Sequence, residues 1–469
     1  MNRVVGFIVA AMFAGSACGD NLGSSGMTHE QLLAKLRALQ GVTAEEVPSK
    51  VDGFSAYVLH FTQPVDHNDP SGPTFQQEVS LLHRSELAPA PMVVWTSGYK
   101  DNYADKAVEL TDILDANQVS IEHRFFGASR PAPADWTKLT IDQAAADEHE
   151  IIQALRTVYG GVFLSAGASK GGMTAVFHRR FYPGDVEGTV AYVAPLTFGA
   201  PDPRYPAFFD TVGPEDCRNA VRAIARDMLA NRRDQMEARA ALQTQYAYSR
   251  IPLGPAVEAA ITGFEWSFWQ YFGVDHCKSV PDVSASDDDV FAFLDRVSQI
   301  HESSDAGISD MEAYYYQSYA QLGYPDYTVS YLTPYLQYDE DDYLGELPTA
   351  EPAYDPNPMS DVLDYIDNAG DRLLFVYGEW DPWIKGKVVL GNAADSKSYT
   401  VPEGTHAASI RALPSDKCNA AAAMIENWTG VKPRLSWWRR AGSAPAKTAL
   451  PLHMPPVLRH TPVARAVKR

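Results

Sequence analysis

Apolar residues along this chain recur with two periods, and the switches between them outline a fold. Over residues 29–47, Leu32, Leu33, Leu36 and Leu39 recur at helical spacing and predict an amphipathic helix. Two β-type runs follow, Tyr57-Val58-Leu59-His60-Phe61 and Glu78-Val79-Ser80-Leu81-Leu82. The stretch Asp66-His67-Asn68-Asp69-Pro70-Ser71-Gly72 between them is a loop by composition. Pro91-Met92-Val93-Val94-Trp95-Thr96-Ser97-Gly98-Tyr99 reads as a buried strand feeding a glycine loop. Val119-Ser120-Ile121-Glu122-His123-Arg124 and Val162-Phe163-Leu164 read as further strands. Between those two, Thr140-Ile141-Asp142-Gln143 has the pattern of a capping box. It opens a helix reaching about Tyr159, with Ile151, Ile152, Leu155 and Val158 on its buried face.

Strands alternating with helices predict a doubly wound α/β fold, with a mostly parallel sheet covered on both faces. The alternation breaks near Gly199 and resumes at Leu373-Leu374-Phe375-Val376-Tyr377. In the interval, Val221, Ile224, Ala225, Met228 and Leu229 follow helical spacing, as do Val290, Phe291, Leu294 and Val297. The predicted organisation is a core over residues 29–198, an inserted helical cap over 199–355, and the rest of the core over 356–430.

The two ends differ in kind. Arg3, an apolar run over residues 4–14 and the small residues Gly15, Ser16 and Ala17 form the pattern of an export signal. Gly15-Ser16-Ala17-Cys18 also resembles a bacterial lipoprotein signal, which implies lipidation of Cys18 and membrane attachment through it, with residues 19–28 as a tether. An exported chain meets an oxidising compartment, where Cys217, Cys277 and Cys418 allow three pairings; Cys217 with Cys277 is expected because both fall in the cap. Residues 431–469 hold nine basic and no acidic residues, are rich in Pro and Ala, and lack periodicity; a disordered tail is expected.

Composition narrows the function. With 45% hydrophobic and 21% charged residues among 469, the chain can bury a large core. A net charge of −20 argues against a nucleic-acid partner.

Candidate chemistry begins at Gly167-Ala168-Ser169-Lys170-Gly171, a G-x-S-x-G pattern between an apolar strand and a helix-like segment over residues 173–182. Such a strand–turn–helix lifts a serine Oγ clear of the sheet, and small neighbours permit the close approach. The Lys170 amide then opens the next helix and faces a developing oxyanion. A serine needs a base, and the base an acid, in the chain order Ser, Asp or Glu, His. Of the 12 histidines, only His406 lies after the sheet resumes and before the tail, in Pro402-Glu403-Gly404-Thr405-His406-Ala407. The acid is expected after the strand, in Gly378-Glu379-Trp380-Asp381-Pro382-Trp383. Asp381 is preferred because it lies deeper in the loop, with Glu379 the alternative. The second oxyanion donor is expected from the loop Ser97-Gly98-Tyr99, as the amide of Tyr99.

Glu122-His123-Arg124-Phe125-Phe126-Gly127-Ala128-Ser129-Arg130-Pro131 resembles a motif of secreted serine exopeptidases. Gly167-Ala168-Ser169-Lys170-Gly171-Gly172-Met173-Thr174 with His178-Arg179-Arg180-Phe181-Tyr182-Pro183 is more specific, and is similar to serine-peptidase family 37, the secreted tripeptidyl aminopeptidases. Gly378-Glu379-Trp380-Asp381-Pro382-Trp383 and Gly404-Thr405-His406 resemble that family's later motifs. The resemblance implies an α/β-hydrolase fold, a triad of Ser169, Asp381 and His406, and release of tripeptides from free N-termini of peptides or proteins.

An enzyme that acts on chain ends needs to hold the substrate amine. Phe264-Glu265-Trp266-Ser267-Phe268-Trp269-Gln270-Tyr271-Phe272 sets one acid among six aromatics, and Glu265 is the candidate anchor, with a cationic partner expected for it. Ten of the 24 tyrosines fall between Tyr314 and Tyr343 and suit a peptide groove. No metal-binding or P-loop motif occurs, and the chemistry needs no cofactor. An esterase of the same fold and a catalytically silent surface binding protein are the alternatives.

Overall fold

The computed structural model describes residues 27–84 and 90–435. The expected export signal, Cys18 and the tail beyond residue 435 lie outside the described residues.

Helix α1 (His29–Arg37) opens on a reciprocal cap between Thr28 and Gln31 and buries Leu32 and Leu36. It is half the predicted length. Gly41, at φ +71°, turns the chain into strand β1 (Val42–Val47), whose inward residues Val42 and Ala44 alternate with exposed ones. The helix ends at Arg37, and the leucine spacing does not carry it into Val42–Val47. Thr28, expected in the tether, already belongs to the fold.

Strands β2 (Ser55–Pro64) and β3 (Thr74–His83) pair antiparallel, as β1 does with β2. The α/β alternation then begins: β4 (Met92–Thr96), α2 (Glu109–Leu114), β5 (Asn117–Ile121), α3 (Ile141–Arg156), β6 (Phe163–Ala168), α4 (Lys170–Phe181) and β7 (Gly188–Tyr192). The cap follows with α5 (Glu215–Asn231), α6 (Arg233–Ala240), α7 (Leu253–Thr262), α8 (Phe264–Ser267), α9 (Asp287–Ser298) and α10 (Asp305–Gln317). The chain returns through α11 (Asn357–Asn368), β8 (Leu373–Gly378), β9 (Lys397–Val401) and α12 (Ser415–Thr429).

The nine strands form one sheet in the order β1-β2-β3-β5-β4-β6-β7-β8-β9. Three pairings at the β1 end are antiparallel and five are parallel. Alternate residues of β4 serve opposite faces: Val93 and Trp95 join α2 and α12, while Met92 and Val94 join α1 and α3. Helices α4 and α11 cover the second face beside β8. This is an α/β-hydrolase fold, with the cap entering between β7 and β8.

The expected capping box at Thr140 is not formed. Thr140 makes no side-chain cap bond, and the Gln143 carbonyl instead accepts from the His67 amide at 2.8 Å. The predicted tail also starts too early: Val431 and Leu435 pack on the core, and Arg434 pairs with Asp115 at 2.7 Å. In the cap, Cys217 and Cys277 form a disulfide with Cα atoms 5.3 Å apart.

Arg124 joins three segments of the core. Its fully buried guanidinium grips Asp147 of α3 through Nε and Nη2, both at 2.7 Å, and donates to the carbonyls of Val65 and Lys138. Removing one partner of such a pair strands the other charge in a dry interior. Arg124→Met is expected to lower unfolding free energy by about 3–5 kcal/mol in urea titrations.

Candidate active site

Strand β6 ends at Ala168, α4 begins at Lys170, and Ser169 is the whole connection. Its backbone sits at φ +56°, ψ −128°, outside the regions open to residues with a Cβ. The turn is feasible because its surroundings are bare. A Cβ on Gly98 would collide with the Gly171 amide, one on Gly167 with the Gly171 carbonyl, and one on Gly171 with the Thr96 carbonyl. Thr96 Oγ1 donates to the Gly171 carbonyl at 2.6 Å and closes the contact.

The base and acid come from the loops after β9 and β8. His406 Nδ1 lies 2.6 Å from Asp381 Oδ2, and both side chains are buried. Asp381 Oδ1 accepts from the Trp383 amide, which fixes the carboxylate. Glu379 is exposed and accepts from the Glu403 amide at 2.8 Å, so the acid paired with the histidine is Asp381. Glycine again permits the approach, since a Cβ on Gly378 would strike the Thr405 carbonyl. His406 Nε2 is buried and has no hydrogen-bond partner among the described residues. With Nδ1–H held by Asp381, Nε2 is the nitrogen that can take a proton.

Tyr99, the expected oxyanion donor, follows Gly98 in the loop that packs on Gly171. Its backbone N–H meets no acceptor among the described residues, as an oxyanion donor requires. Its buried hydroxyl lies beside the Ser169 side chain and the Lys170 amide. Burial pushes this phenol well above its ordinary value, so it stays protonated.

Residues 31–449 match the family model described as PS-10 peptidase S37. The chain belongs to the S37 peptidases. It is 37% identical over 438 residues to the prolyl tri/tetrapeptidyl aminopeptidase of Streptomyces mobaraensis, covering 91% of each chain. It is 28% identical over 173 residues to the lysosomal Pro-X carboxypeptidase of Mus musculus, covering 33% of this chain and 35% of the other. The proline iminopeptidase of Mycobacterium smegmatis aligns in structure at a TM-score of 0.36 and 13% identity, covering 82% of this chain and 99% of that one. As an S37 member the chain is a serine peptidase, which selects the peptidase among the readings left open above.

The S37 motifs divide between chemistry and support. Glu122 accepts from the amides of Asp101 and Ser129, and His123 donates its amide to the Tyr99 carbonyl at 3.0 Å. Arg179 binds the carbonyls of Pro183 and Val186, and His178 pairs with Asp185 at 2.9 Å. These residues brace the loops after β5 and α4, and none is hydrogen-bonded to Ser169 among the described residues.

The cap contributes residues that sequence reasoning missed. Helix α8 continues as a π-helical turn, Phe268–Phe272. The Gln270 carbonyl there accepts from the His406 amide at 2.8 Å, and the Tyr271 ring meets the imidazole edge-on at 5.8 Å. Their signal was the aromatic stretch in which Glu265 drew attention. Glu265 itself is buried and paired with Arg222 Nε at 2.8 Å. It lines a cavity whose wall includes Trp266 but not Ser169, Asp381 or His406, and the Trp266 ring packs on Trp383 at 5.2 Å. Of the ten clustered tyrosines, Tyr314 reaches Tyr99 at 5.8 Å, while Tyr315, Tyr316 and Tyr319 pack between cap and core.

Asp381→Asn keeps the shape and forces the wrong imidazole tautomer, so kcat is expected to fall by about four orders of magnitude. Glu379→Gln is expected to leave kcat within about twofold, since its exposed contact with Glu403 is a surface hydrogen bond. Steady-state hydrolysis of one peptide substrate by both variants checks the assignment.

Proposed function

We propose that this peptidase is an exported exopeptidase that releases short peptides, tripeptides foremost, from free N-termini. Ser169 attacks the carbonyl, and His406 Nε2 takes the proton and passes it to the leaving amine. Asp381 holds Nδ1–H, and the Lys170 and Tyr99 amides receive the oxyanion. Water then attacks the acyl-enzyme with His406 as base, freeing the peptide acid and restoring Ser169. The name of the Streptomyces relative supports proline ahead of the cleaved bond. The cap disulfide supports an oxidising destination.

The observation that carries the exopeptidase reading is a single cap segment that touches His406 at one end and lines a cavity at the other. At Gln270 and Tyr271 it rests on the catalytic histidine, and at Glu265 it lines a cavity of about 270 Å³. Phe209, Trp266, Tyr327 and Tyr331 supply aromatic walls, and Asp210 and Asp326 add carboxylates against the one cation, Arg222. Aromatic faces and excess negative charge suit an ammonium group. An acetylated amine brings no charge and leaves these acids uncompensated.

The test compares a fluorogenic tripeptide amide ending in proline with its N-acetylated twin. Cleavage of the free amine alone is expected; equal cleavage of both overturns the reading.

Burial pushes the Glu265 carboxyl up to about 7, with Arg222 opposing. The carboxylate therefore forms as pH rises through about 7, while a peptide amine loses its charge near about 8. KM for the free-amine substrate is expected to fall from pH 6 to a minimum between those values. Glu265→Gln is expected to raise KM about tenfold or more and flatten that profile. A KM unchanged by the substitution removes Glu265 from amine recognition.

A further inference from the structure

The side chain of Lys170 is not accounted for by the mechanism, which uses only its backbone amide. It runs back from the first residue of α4 into the interior, where it is 2% exposed. Its Nζ donates to the Gly98 carbonyl at 2.7 Å and stands over the rings of Phe126 and Tyr99 at 5.4 and 5.7 Å from their centroids. Burial pushes its amine well below the ordinary value, opposed by Glu148 of α3, whose own buried carboxyl is pushed well up. A polar side chain is costly there unless it is hydrogen-bonded.

That bond fixes one peptide plane. The Gly98 carbonyl and the Tyr99 N–H belong to the same trans peptide, so they point in opposite directions. Gly98 is at φ +72°, a conformation that leaves its peptide planes free to rotate unless held. The next carbonyl, that of Tyr99, is held separately by the His123 amide and the Ser97 hydroxyl at 2.6 Å. With the Gly98 carbonyl turned inward onto Lys170, the Tyr99 N–H is turned away from the interior and keeps no partner among the described residues. A donor on the carbonyl also polarises the peptide and strengthens its N–H as a donor.

We propose that the Lys170 side chain is a positioning residue for the oxyanion site: by holding the Gly98 carbonyl it aims the Tyr99 amide at the transition state. One residue then supplies one oxyanion donor through its backbone and orients the other through its side chain. The proposal rests on the assignment of Ser169 as nucleophile and of the Tyr99 amide as oxyanion donor.

The test uses Lys170→Met, which keeps the length of the stem and removes the donor. Three quantities are read on the full chain: kcat and KM for the free-amine tripeptide amide, the Ki of a peptide aldehyde that forms a hemiacetal with Ser169, and the Ki of the unreactive peptide alcohol of the same sequence. Kcat and aldehyde affinity are expected to fall together by about 10- to 100-fold, within the range for an impaired oxyanion donor. KM and alcohol affinity are expected to change less than about threefold. A loss of kcat with unchanged aldehyde affinity overturns the proposal, as does a parallel loss of alcohol affinity. Ser169→Ala is the control: turnover surviving in it refutes the nucleophile assignment itself.

If Lys170→Met does not fold, the structure of the unaltered enzyme with the aldehyde decides. The hemiacetal oxygen is expected on the Tyr99 N–H with Lys170 Nζ still on the Gly98 carbonyl. A hemiacetal oxygen bound without the Tyr99 amide, or with the Gly98 peptide turned over, overturns the proposal.

Discussion

The site depends on how closely residues 96–98 approach residues 169–172. A nucleophilic serine raised above a parallel sheet needs a one-residue turn, and that turn puts Ser169 at φ +56°. Such a conformation costs on the order of 1–3 kcal/mol and persists only where the surroundings leave no alternative. Here the confinement is tight on every side. The carbonyls of Thr96 and Ser97 occupy the space where Gly171 would carry a Cβ, and the amide of Gly171 occupies that of Gly98. The two segments therefore have to be glycine-rich together, and one substitution in either separates the serine from the loop that serves its oxyanion.

Holding two loops in contact inside a dry core explains where the buried ionisable side chains are. Glu122, Arg124, Lys170 and Arg179 are each at most 2% exposed, and each binds backbone groups. A backbone carbonyl or amide that turns inward from a loop has no strand partner, and an unmatched polar group in the core costs as much as a lost hydrogen bond. A long ionisable side chain can reach such a group from another element, which a neighbouring strand cannot do. The motif from Glu122 to Pro131 looks chemical in the sequence because it is rich in ionisable residues. In the structure its acid, histidine and arginine support the loops that hold the chemistry.

Much of this was legible in the sequence, and the parts that were not share a cause. The elbow, His406 and Asp381 were found because a strand, a small-residue turn and chain order constrain them locally. The alternation of β4 was readable because both of its faces are buried, which leaves an unbroken apolar run. Strands β7 and β9 were missed: β7, Gly188–Tyr192, opens on a glycine packed against Trp428, and β9 is only partly buried, so neither has a strong apolar signature. The length of α1 was not legible because Leu39 keeps helical spacing beyond the last helical residue, Arg37. The Tyr99 hydroxyl, the Lys170 contact with Gly98 and the Gln270 contact with His406 were not legible. Each joins positions more than one element apart, and no local period records such a meeting.

The turn from Phe268 to Phe272 brings the cap against His406. A π-helical turn widens the helix by one residue and leaves carbonyls without their usual helical donors. One of those carbonyls, on Gln270, receives the His406 amide. Gly273, at φ +63°, ends the turn and sits against Thr405, so the cap and the histidine loop meet at successive positions. Three residues along this segment thus have separate duties: Glu265 on the cavity wall, Trp266 against Trp383 beside the catalytic acid, and Gln270 on the catalytic base. A ligand that presses on the cavity wall presses on the segment whose Gln270 carbonyl holds the His406 amide. In the proposed function, selection of a short chain end and alignment of the imidazole meet on one continuous stretch of backbone. A cap attached by a flexible hinge could exclude large substrates but could not couple amine binding to the geometry of the base.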